Sequence, residues 1–263
     1  MKLHFFKYEG AGNDFIVLDN RSQDIVLGEK EIRKLCDRHF GIGSDGLIFL
    51  TNGSMADFAM EFYNPDGSSG MMCGNGGRCI VRFAQDLGII PEGKTEFLAP
   101  DGYHNAEILK DGDIALKMKD VQSLEKYADG IWLDTGTSHF VVKTDDVKQE
   151  NIFEKGRTLR YDARFEKHNG TNVNFYTELQ EKELLIRTYE RGVEDETLAC
   201  GTGITATAIA YSKTKKLPNG MHTISVKTLN DTLKVSFLKT EDTFTNVVLQ
   251  GPAKKVYEGD VII

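Results

Sequence analysis

Two cysteines each begin a glycine-rich stretch of this chain: Met72-Cys73-Gly74-Asn75-Gly76-Gly77 and Ala199-Cys200-Gly201-Thr202-Gly203-Ile204. Each stretch leads into a segment whose apolar residues recur with helical spacing, residues 76–87 and 203–212. The second stretch lies about half of the 263-residue chain after the first. Two thiols in equivalent settings suit a reaction that takes a proton from one face of a carbon and returns one to the other face.

Other features recur at nearly the same separation as the cysteines. The matched segments are residues 12–17 with 137–142, and Tyr63-Asn64 with Tyr189-Glu190. Matches that keep both order and spacing predict a duplicated domain. We therefore predict two facing lobes, an N-terminal lobe of residues 1–118 and a C-terminal lobe of residues 119–252. The tail, residues 253–263, is too short to stand alone, and one interpretation returns it to the first lobe.

Most of the remaining sequence predicts short strands separated by turns, and helices are few, which indicates the α+β class. Residues 15–19, 47–50 and 56–63 are predicted strands, and Asn64-Pro65-Asp66-Gly67 is a predicted turn. The helices that follow the two cysteines are unusually apolar, so each is expected to run through the middle of its own domain. Pro91 is one of the stop signals predicted to follow them.

Composition argues against several classes of protein. The formal net charge is −8 at pH 7, and the densest basic run, residues 213–216, is interpreted as a solvated helix end, so no nucleic-acid partner is predicted. No apolar stretch is long enough for a membrane span or a signal peptide, so no membrane partner is predicted. Four cysteines are too few for a disulfide framework, which favours a cytoplasmic location. Cys36 and Cys79 are interpreted as packing residues.

The chemistry expected of Cys73 and Cys200 follows from their position. A thiol at a helix N-terminus meets unpaired N–H groups and the positive end of the helix dipole, and both favour the thiolate. The glycines let backbone amides approach an anion, and a carboxylate is expected because no phosphate-binding signature is present. The alternative is that both cysteines are structural. Neither a CxxC pair nor a cluster of metal ligands is present, so no metal site is predicted.

Polar residues near the matched segments complete the set of candidates. They are Asn13, Asn64, His139, Asn172, Glu190 and Arg191. Arg191 suits bidentate recognition of a carboxylate, and Glu190 could bind an ammonium group, whereas a surface ion pair is the alternative for both. Asn64 could instead cap its own turn. For His139 the alternative is a buried histidine with satisfied hydrogen bonds.

Seven segments of the chain together resemble the diaminopimelate epimerase family. They are residues 10–15, 41–46, 63–67, 72–79, 170–175, 189–192 and 196–203. The order and spacing of these segments extend the resemblance over essentially the whole chain. The resemblance implies an α+β fold of two pseudo-symmetric lobes, each a mostly antiparallel β-sheet or barrel wrapped around a central α-helix.

The resemblance also implies an activity: cofactor-independent interconversion of LL- and meso-2,6-diaminopimelate, a small amino acid, for lysine and peptidoglycan synthesis. It implies that Cys73 and Cys200 form the acid–base pair, and that His139 and Glu190 tune these two thiols. The residues that match the family's substrate-binding positions are Asn13, Asn64, Gly74, Asn75, Asn172, Glu190, Arg191, Gly201 and Thr202. The oligomeric state is left open, with a homodimer as one option.

The chain departs from the family pattern at three places. Gly46 stands where some members have a binding glutamine, Thr137 stands where an asparagine is common, and the loop of residues 191–197 is one residue longer than the commonest form. Two other functions are kept as alternatives. One is a related racemase or epimerase that acts on another amino acid, such as histidine or hydroxyproline. The other is a thiol redox switch in which Cys73 and Cys200 form a disulfide.

Overall fold

A computed structural model of the chain describes residues 1–90 and 93–263, so the predicted stop signal at Pro91 lies outside the described residues. The chain divides into two compact units. The first unit comprises residues 1–116 together with 251–263, and the second comprises residues 117–250. In the first unit, the last strand of the chain pairs antiparallel with the first, so that the two chain ends meet in one sheet.

The elements follow one another as short strands with few helices. In chain order they are β1 (Lys2–Gly10), β2 (Asn13–Asp19), α1 (Glu29–Cys36), β3 (Gly46–Thr51), β4 (Phe58–Tyr63), α2 (Gly74–Asp86), β5 (Lys94–Ala99), β6 (Gly102–Ile108), β7 (Ile114–Lys117), β8 (Leu124–Lys126), β9 (Ile131–Asp134), β10 (Ser138–Lys143), α3 (Ile152–Arg160), β11 (Asn172–Gln180), β12 (Glu183–Glu190), β13 (Asp195–Thr197), α4 (Gly201–Thr214), β14 (Gly220–Lys227), β15 (Thr232–Thr240), β16 (Thr243–Gly251) and β17 (Lys254–Ile262). The 3₁₀ turns are Val147–Gln149 and Ala163–His168.

The first unit is built on alternating antiparallel and parallel strand pairs. Strands β1 and β2 form an antiparallel pair, β2 and β3 are parallel, and β3 and β4 are antiparallel. Strand β5 is parallel to β4, and β6 returns antiparallel to β5. Helix α1 connects β2 to β3, and α2 connects β4 to β5, as expected because parallel neighbours need a crossover connection.

The second unit repeats this order of pairings. Strands β9 and β10 are antiparallel, β10 and β11 are parallel, and β11 and β12 are antiparallel. Strand β14 is parallel to β12, and β15 returns antiparallel to β14. Helix α3 connects the parallel strands β10 and β11, and α4 connects the parallel strands β12 and β14. The same topology in both units confirms the predicted duplication and the α+β class.

Helix α2 lies in the core of the first unit, where it packs against β1, β2, β3 and β17. Its residues Cys79 to Val81 are fully buried, as are Phe83 and Ala84. Cys36, on α1, is also buried and belongs to a separate cluster with Leu35 and Ile16. The interpretation of Cys36 and Cys79 as packing residues is therefore confirmed.

Helix α4 occupies the same place in the second unit, against β9 to β12 and β14 and β15. Every residue from Gly203 to Ser212 is buried, which is the pattern of a helix surrounded by protein on all sides. Its buried threonines are satisfied within the helix, because Thr205 donates to Gly201 O at 3.0 Å and Thr207 to Gly203 O at 2.8 Å. The prediction of a central helix in each domain is confirmed.

The predicted turn at residues 64–67 is also present. Gly67 N donates to Asn64 O at 2.9 Å, and Gly67 has a positive φ of 89°, which favours glycine. This turn begins the loop that leads to Cys73. Among the described residues, no helix has both the length and the apolar character that a membrane span requires.

A substitution in α2 tests its place in the core. Phe83 is fully buried and its ring lies 4.9 Å from that of Phe6 and 5.6 Å from that of Tyr8. Phe83→Ala should lower the free energy of unfolding, measured by urea denaturation, by about 3–5 kcal/mol, because a large side chain is lost from a packed site. Phe40 is 85% exposed, so Phe40→Ala is the control and should change it by less than about 0.5 kcal/mol. Equal effects of the two substitutions would contradict the core assignment.

Candidate active site

Cys73 is the residue that caps the N-terminus of α2. Its backbone is extended, with φ −107° and ψ 142°, and its sulfur accepts a hydrogen bond from Gly76 N at 3.2 Å. Gly77 N donates to the carbonyl of Cys73 at 2.8 Å, which closes the first helical turn. A sulfur that accepts a backbone N–H at a helix N-terminus has surroundings that favour the thiolate.

Cys200 occupies the N-cap position of α4 in the second unit. Its backbone is also extended, with φ −122° and ψ 108°, and its sulfur lies 3.4 Å from Thr202 Oγ1. Thr135 Oγ1 donates to Thr202 O at 2.9 Å and so anchors the helix start to the turn after β9. A Cβ at Gly203 would collide with Asn174 Oδ1, so glycine is required for this close approach. The predicted placement of both cysteines at helix N-termini is confirmed.

Asn13 and Asn75 meet beside the start of α2. Asn75, only 1% exposed, donates from Nδ2 to Asn13 Oδ1, and Asn13 Nδ2 donates to Asp45 Oδ2 at 3.0 Å. The first unit therefore brings Asn13, Asn75 and the adjoining Gly74 together near Cys73. The described contacts of Asn64 are different, because its Nδ2 donates to Ser68 Oγ at 3.0 Å within its own turn.

Asn172 connects three segments of the second unit. Its Nδ2 lies 2.9 Å from Ser138 O and 3.3 Å from Thr137 Oγ1, and its Oδ1 accepts from Arg191 N at 2.9 Å. The Asn172 side chain is 4% exposed and uses both ends of its amide on protein atoms. This residue therefore fixes the turn that carries Arg191.

Glu190 is the last residue of the buried strand β12, and Arg191 follows it. Arg191 Nη1 donates to His168 O at 2.9 Å and to Gly170 O at 3.3 Å, so the guanidinium is held by two carbonyls. Glu190 Oε2 accepts from Thr197 Oγ1 at 2.8 Å. Both side chains are only partly buried and lie where the chain leaves β12 toward Cys200.

His139 is completely buried on β10. Its Nδ1 lies 3.0 Å from Asn174 Nδ2, and its Nε2 lies 2.9 Å from Thr137 Oγ1. Because an amide nitrogen only donates, Nδ1 is the acceptor, and we assign the ring proton to Nε2. Burial lowers the pKa of His139 to about 3; nearby Arg191 adds to this effect and Asp134 opposes it. The imidazole is therefore neutral at physiological pH.

Three residues of these hydrogen-bond networks have no role in the sequence-based prediction. Asn174 binds His139 directly, and its Oδ1 accepts from Thr188 Oγ1 at 3.0 Å. Asp45 and Arg78 bind the side chains of Asn13 and Asn75. A signal was present for Asn174, because strand alternation places it on the same face as Asn172.

Considered separately, the two units contain the same chemical groups at the start of their central helices. A cysteine stands at the N-terminus of a buried helix, and glycines follow it in the first helical turn. Such a helix start can bind a carboxylate beside a thiol. Within residues 1–90 and 93–263, no group of three or more His, Cys, Asp and Glu side chains could hold a metal ion.

Comparison with known proteins assigns the family. The sequence model described as diaminopimelate epimerase matches residues 5–124 and 131–256 of this chain. The chain belongs to the diaminopimelate epimerase family. The family predicted from the seven sequence segments is therefore confirmed, and with it the predicted enzyme class, an isomerase.

Relatives that carry the family's name match this chain over almost its full length. A diaminopimelate epimerase of Flavobacterium psychrophilum is 46% identical over 98% of this chain and 99% of the relative. A diaminopimelate epimerase of Chlorobaculum tepidum is 40% identical over 97% of this chain and 99% of the relative. A diaminopimelate epimerase of Aquifex aeolicus is 39% identical over 98% of this chain and 97% of the relative.

Solved structures support the fold. A Bacillus anthracis phenazine biosynthesis protein of the PhzF family matches with a TM-score of 0.80 and 16% identity over the full length of both chains. A hydroxyproline epimerase from Agrobacterium vitis matches with a TM-score of 0.73 and 15% identity over 99% of this chain and 92% of that chain. At these identities the likeness concerns the fold alone.

Two departures from the family pattern have a structural explanation. A Cβ at Gly46 would lie 2.9 Å from Tyr63 O and 3.0 Å from the Phe62 ring, so this backbone excludes the family's glutamine unless its neighbours shift. Thr137 has no amide, but its hydroxyl contacts both His139 and Asn172. It therefore belongs to the hydrogen-bond network of the second unit.

The neutral state of His139 predicts how stability depends on pH. The pKa of His139 is about 3 in the folded protein and 6.5 is the ordinary value, so the unfolded chain binds more protons between them. The contribution of neutral His139 to the free energy of unfolding is complete above the ordinary histidine pKa and is lost as pH falls through this window. From about pH 7 to about pH 5, the free energy of unfolding should fall by about 2 kcal/mol more in the wild type than in His139→Gln.

Urea denaturation at the two pH values measures this difference. The control is His4→Gln, because His4 is exposed and binds Asp260 at the surface. His4→Gln should keep the wild-type dependence on pH. If His139→Gln kept it as well, the neutral buried state of His139 would be disproved.

Proposed function

We propose that this protein interconverts LL- and meso-2,6-diaminopimelate without a cofactor. The observation that carries the proposal is the cysteine at the N-cap position of a buried helix in each unit of a chain that belongs to the diaminopimelate epimerase family. The relative from Flavobacterium psychrophilum supports the same substrate, since it bears the name diaminopimelate epimerase and matches at 46% identity.

In the proposed mechanism Cys73 and Cys200 are the two bases. One thiolate removes the α-proton, and the thiol of the other cysteine gives a proton to the opposite face of the carbon. In the reverse direction the roles exchange. Two bases are needed because a single base would tend to return the proton to the face from which it came.

Helix N-termini would supply the stabilisation that this difficult deprotonation needs. The α-hydrogen of an amino acid is a very weak acid, so negative charge that develops toward the carboxylate must be stabilised. Backbone amides near Gly74, Asn75, Gly201 and Thr202 stand at the starts of α2 and α4, where the helix dipole favours an anion. These groups are already oriented by the helices, so little reorganisation is required during the reaction.

The remaining candidates would hold the rest of the substrate. Arg191 is fixed through Nη1 by two carbonyls, so its other N–H groups are the ones that would meet a carboxylate. Glu190 would bind an ammonium group, and Asn13 and Asn64 would donate to or accept from the polar ends. Asn172, whose amide serves Ser138 and Arg191, would act mainly by positioning Arg191.

His139 would tune its neighbours through hydrogen bonds and not through charge. Its imidazole is buried and neutral, so it is not a cationic partner for a thiolate. It contacts Asn174, whose Oδ1 lies against Gly203 at the start of α4, and Thr137, whose hydroxyl also contacts Asn172. We further propose a cytoplasmic location, since a reducing compartment keeps both thiols available, and a place in lysine and peptidoglycan synthesis.

Hydrogen exchange in deuterated water tests the proposed function. The wild type should incorporate deuterium at the α-carbon of LL-diaminopimelate and produce the meso isomer. Cys73→Ser and Cys200→Ser should each lower kcat by about 10²–10⁴-fold, the usual contribution of a positioned acid or base. Cys36→Ala is the matched control, because Cys36 is buried by packing on α1, and it should keep most of the activity in the fraction that folds.

Two results would contradict the proposal. One is faster α-deuterium incorporation into histidine or hydroxyproline than into diaminopimelate, which would favour another racemase of the same fold. The other is wild-type activity in the variant that lacks both Cys73 and Cys200.

A further inference from the structure

The single tryptophan of the chain forms an aromatic stack that leads to Arg191. Trp132 lies on β9, and the imidazole of His168 stacks on its indole, with ring centroids 4.0 Å apart and ring planes 20° apart. His168 is the last residue of the 3₁₀ turn Ala163–His168, and its backbone carbonyl accepts from Arg191 Nη1 at 2.9 Å. One residue therefore joins the tryptophan to the guanidinium, through its ring on one side and its carbonyl on the other.

The indole of Trp132 is a fixed surface for this stack. Its Nε1 donates to Ser138 Oγ at 2.7 Å, so a rotation of the ring would break a buried hydrogen bond. Trp132 also shares a hydrophobic cluster with Phe140 and Phe165, both fully buried. Phe165 belongs to the same 3₁₀ turn as His168, so the turn is attached to the tryptophan and its cluster at two points.

The His168 ring is placed for stacking and not for hydrogen bonding through Nε2. Within the part of the chain that the structure describes, this nitrogen is buried and has no hydrogen-bond partner. A buried polar atom without a partner costs free energy, so this nitrogen does not explain why the ring lies there. The favourable contribution of the ring is its aromatic contact with the indole.

The direction of the Arg191 guanidinium depends on this turn. The backbone of Arg191 is fixed separately, because its N donates to Asn172 Oδ1 at 2.9 Å. Its Nη1 donates to His168 O at 2.9 Å and to Gly170 O at 3.3 Å, and both carbonyls lie where the chain leaves the 3₁₀ turn. A shift of this segment would turn the guanidinium, whereas the backbone of Arg191 would stay in place.

We propose that His168 and Trp132 are positioning residues that aim the guanidinium of Arg191 at a carboxylate of the amino-acid substrate. The inference rests on the proposed function, in which Arg191 binds such a carboxylate. Neither aromatic residue needs to touch the substrate in this role. A guanidinium recognises a carboxylate best through two parallel N–H donors, so affinity is higher when its plane and direction are set before binding.

Two substitutions of His168 separate its ring from its carbonyl, which every residue type retains. His168→Ala removes the stack and should lower kcat/KM for LL-diaminopimelate roughly tenfold, mostly through a higher KM, because an aromatic pair is lost. His168→Phe restores an aromatic ring and should stay within about twofold of the wild type. A requirement for the charge or the hydrogen bonds of histidine would instead make both variants equally weak.

A double-mutant cycle with Arg191→Ala tests whether the His168 ring acts through Arg191. Without the guanidinium the stack has nothing to aim, so adding His168→Ala should change kcat/KM by less than about twofold in the Arg191→Ala background. An effect of His168 on the fold alone would persist there at roughly tenfold. Deuterium incorporation at the α-carbon gives kcat/KM for all four proteins.

His104 offers a matched control, because it is a second histidine that stacks on a buried aromatic ring. In the first unit its ring lies 5.5 Å from that of Phe97 at an angle of 27°, and its Nε2 lies 2.9 Å from Asp101 Oδ1. His104→Ala removes a stacked imidazole that has no connection to Arg191. It should leave kcat/KM within about twofold of the wild type.

Fluorescence tests the stack without reference to activity. Trp132 is the only tryptophan of the chain, so tryptophan emission reports on this residue alone. Quenching by acrylamide should increase in His168→Ala, since the ring that covers the indole is absent, and should keep the wild-type value in His168→Phe. Equal quenching in the wild type and His168→Ala would show that the ring does not cover Trp132 in solution, which overturns the inference.

The outcomes separate this inference from the proposed function. A wild type that does not epimerise diaminopimelate overturns the proposed function and, with it, this inference. An active wild type overturns only the inference if His168→Ala keeps the wild-type KM, if His168→Phe is as weak as His168→Ala, or if the effect of His168→Ala persists without Arg191. If circular dichroism shows that His168→Phe does not fold, His168→Tyr replaces it, and the cycle with Arg191→Ala decides by itself if that variant also fails.

Discussion

The constraint on which the structure depends is the burial of helix N-termini. Helices α2 and α4 are surrounded by their own sheets, so the N–H groups of their first turns cannot all rely on water. At α2 the sulfur of Cys73 accepts one of these groups, from Gly76 N. A buried helix start of this kind stabilises negative charge and favours close approach by an anion, and the candidate chemistry of both units is built on that property.

Around these helix starts the two units have diverged in their hydrogen-bond networks. The first unit holds its amides between charged groups, Arg78 and Asp45. The second unit uses neutral groups, in which Asn174 donates to His139 and His139 contacts Thr137. Buried polar groups are costly unless every donor and acceptor is satisfied, so both networks also fix their side chains in one arrangement. The duplication has preserved the topology while the supporting chemistry has changed.

The sequence predicts the features that are local and repeated, whereas it does not reveal those that depend on distant contacts. The apolar pattern identifies α2 and α4, apolar runs identify β2 and β3, and strand alternation identifies β4, since neighbouring residues carry those signals. Strands β1 and β17 are not predicted, because each depends on pairing between opposite ends of the chain. The roles of Arg78 and Asn172 were hidden for the same reason. Arg78 is buried by contacts that include Pro252 O, 174 residues away in the sequence. The side-chain amide of Asn172 is hydrogen-bonded to Ser138 O and to Arg191 N.

The divergence of the two networks bears on a requirement of two-base chemistry. Such a reaction needs one thiolate and one thiol at any moment, so two cysteines in identical surroundings would be poorly matched to it. Arg78 places a buried cation in the first turns of α2, bonded to the carbonyl of Gly74 beside Cys73. Near the start of α4 lies the buried His139 of strand β10, which is neutral. The duplicated topology thus presents the two sulfurs in equivalent positions within their own units, while the buried groups near the two helix starts differ in charge.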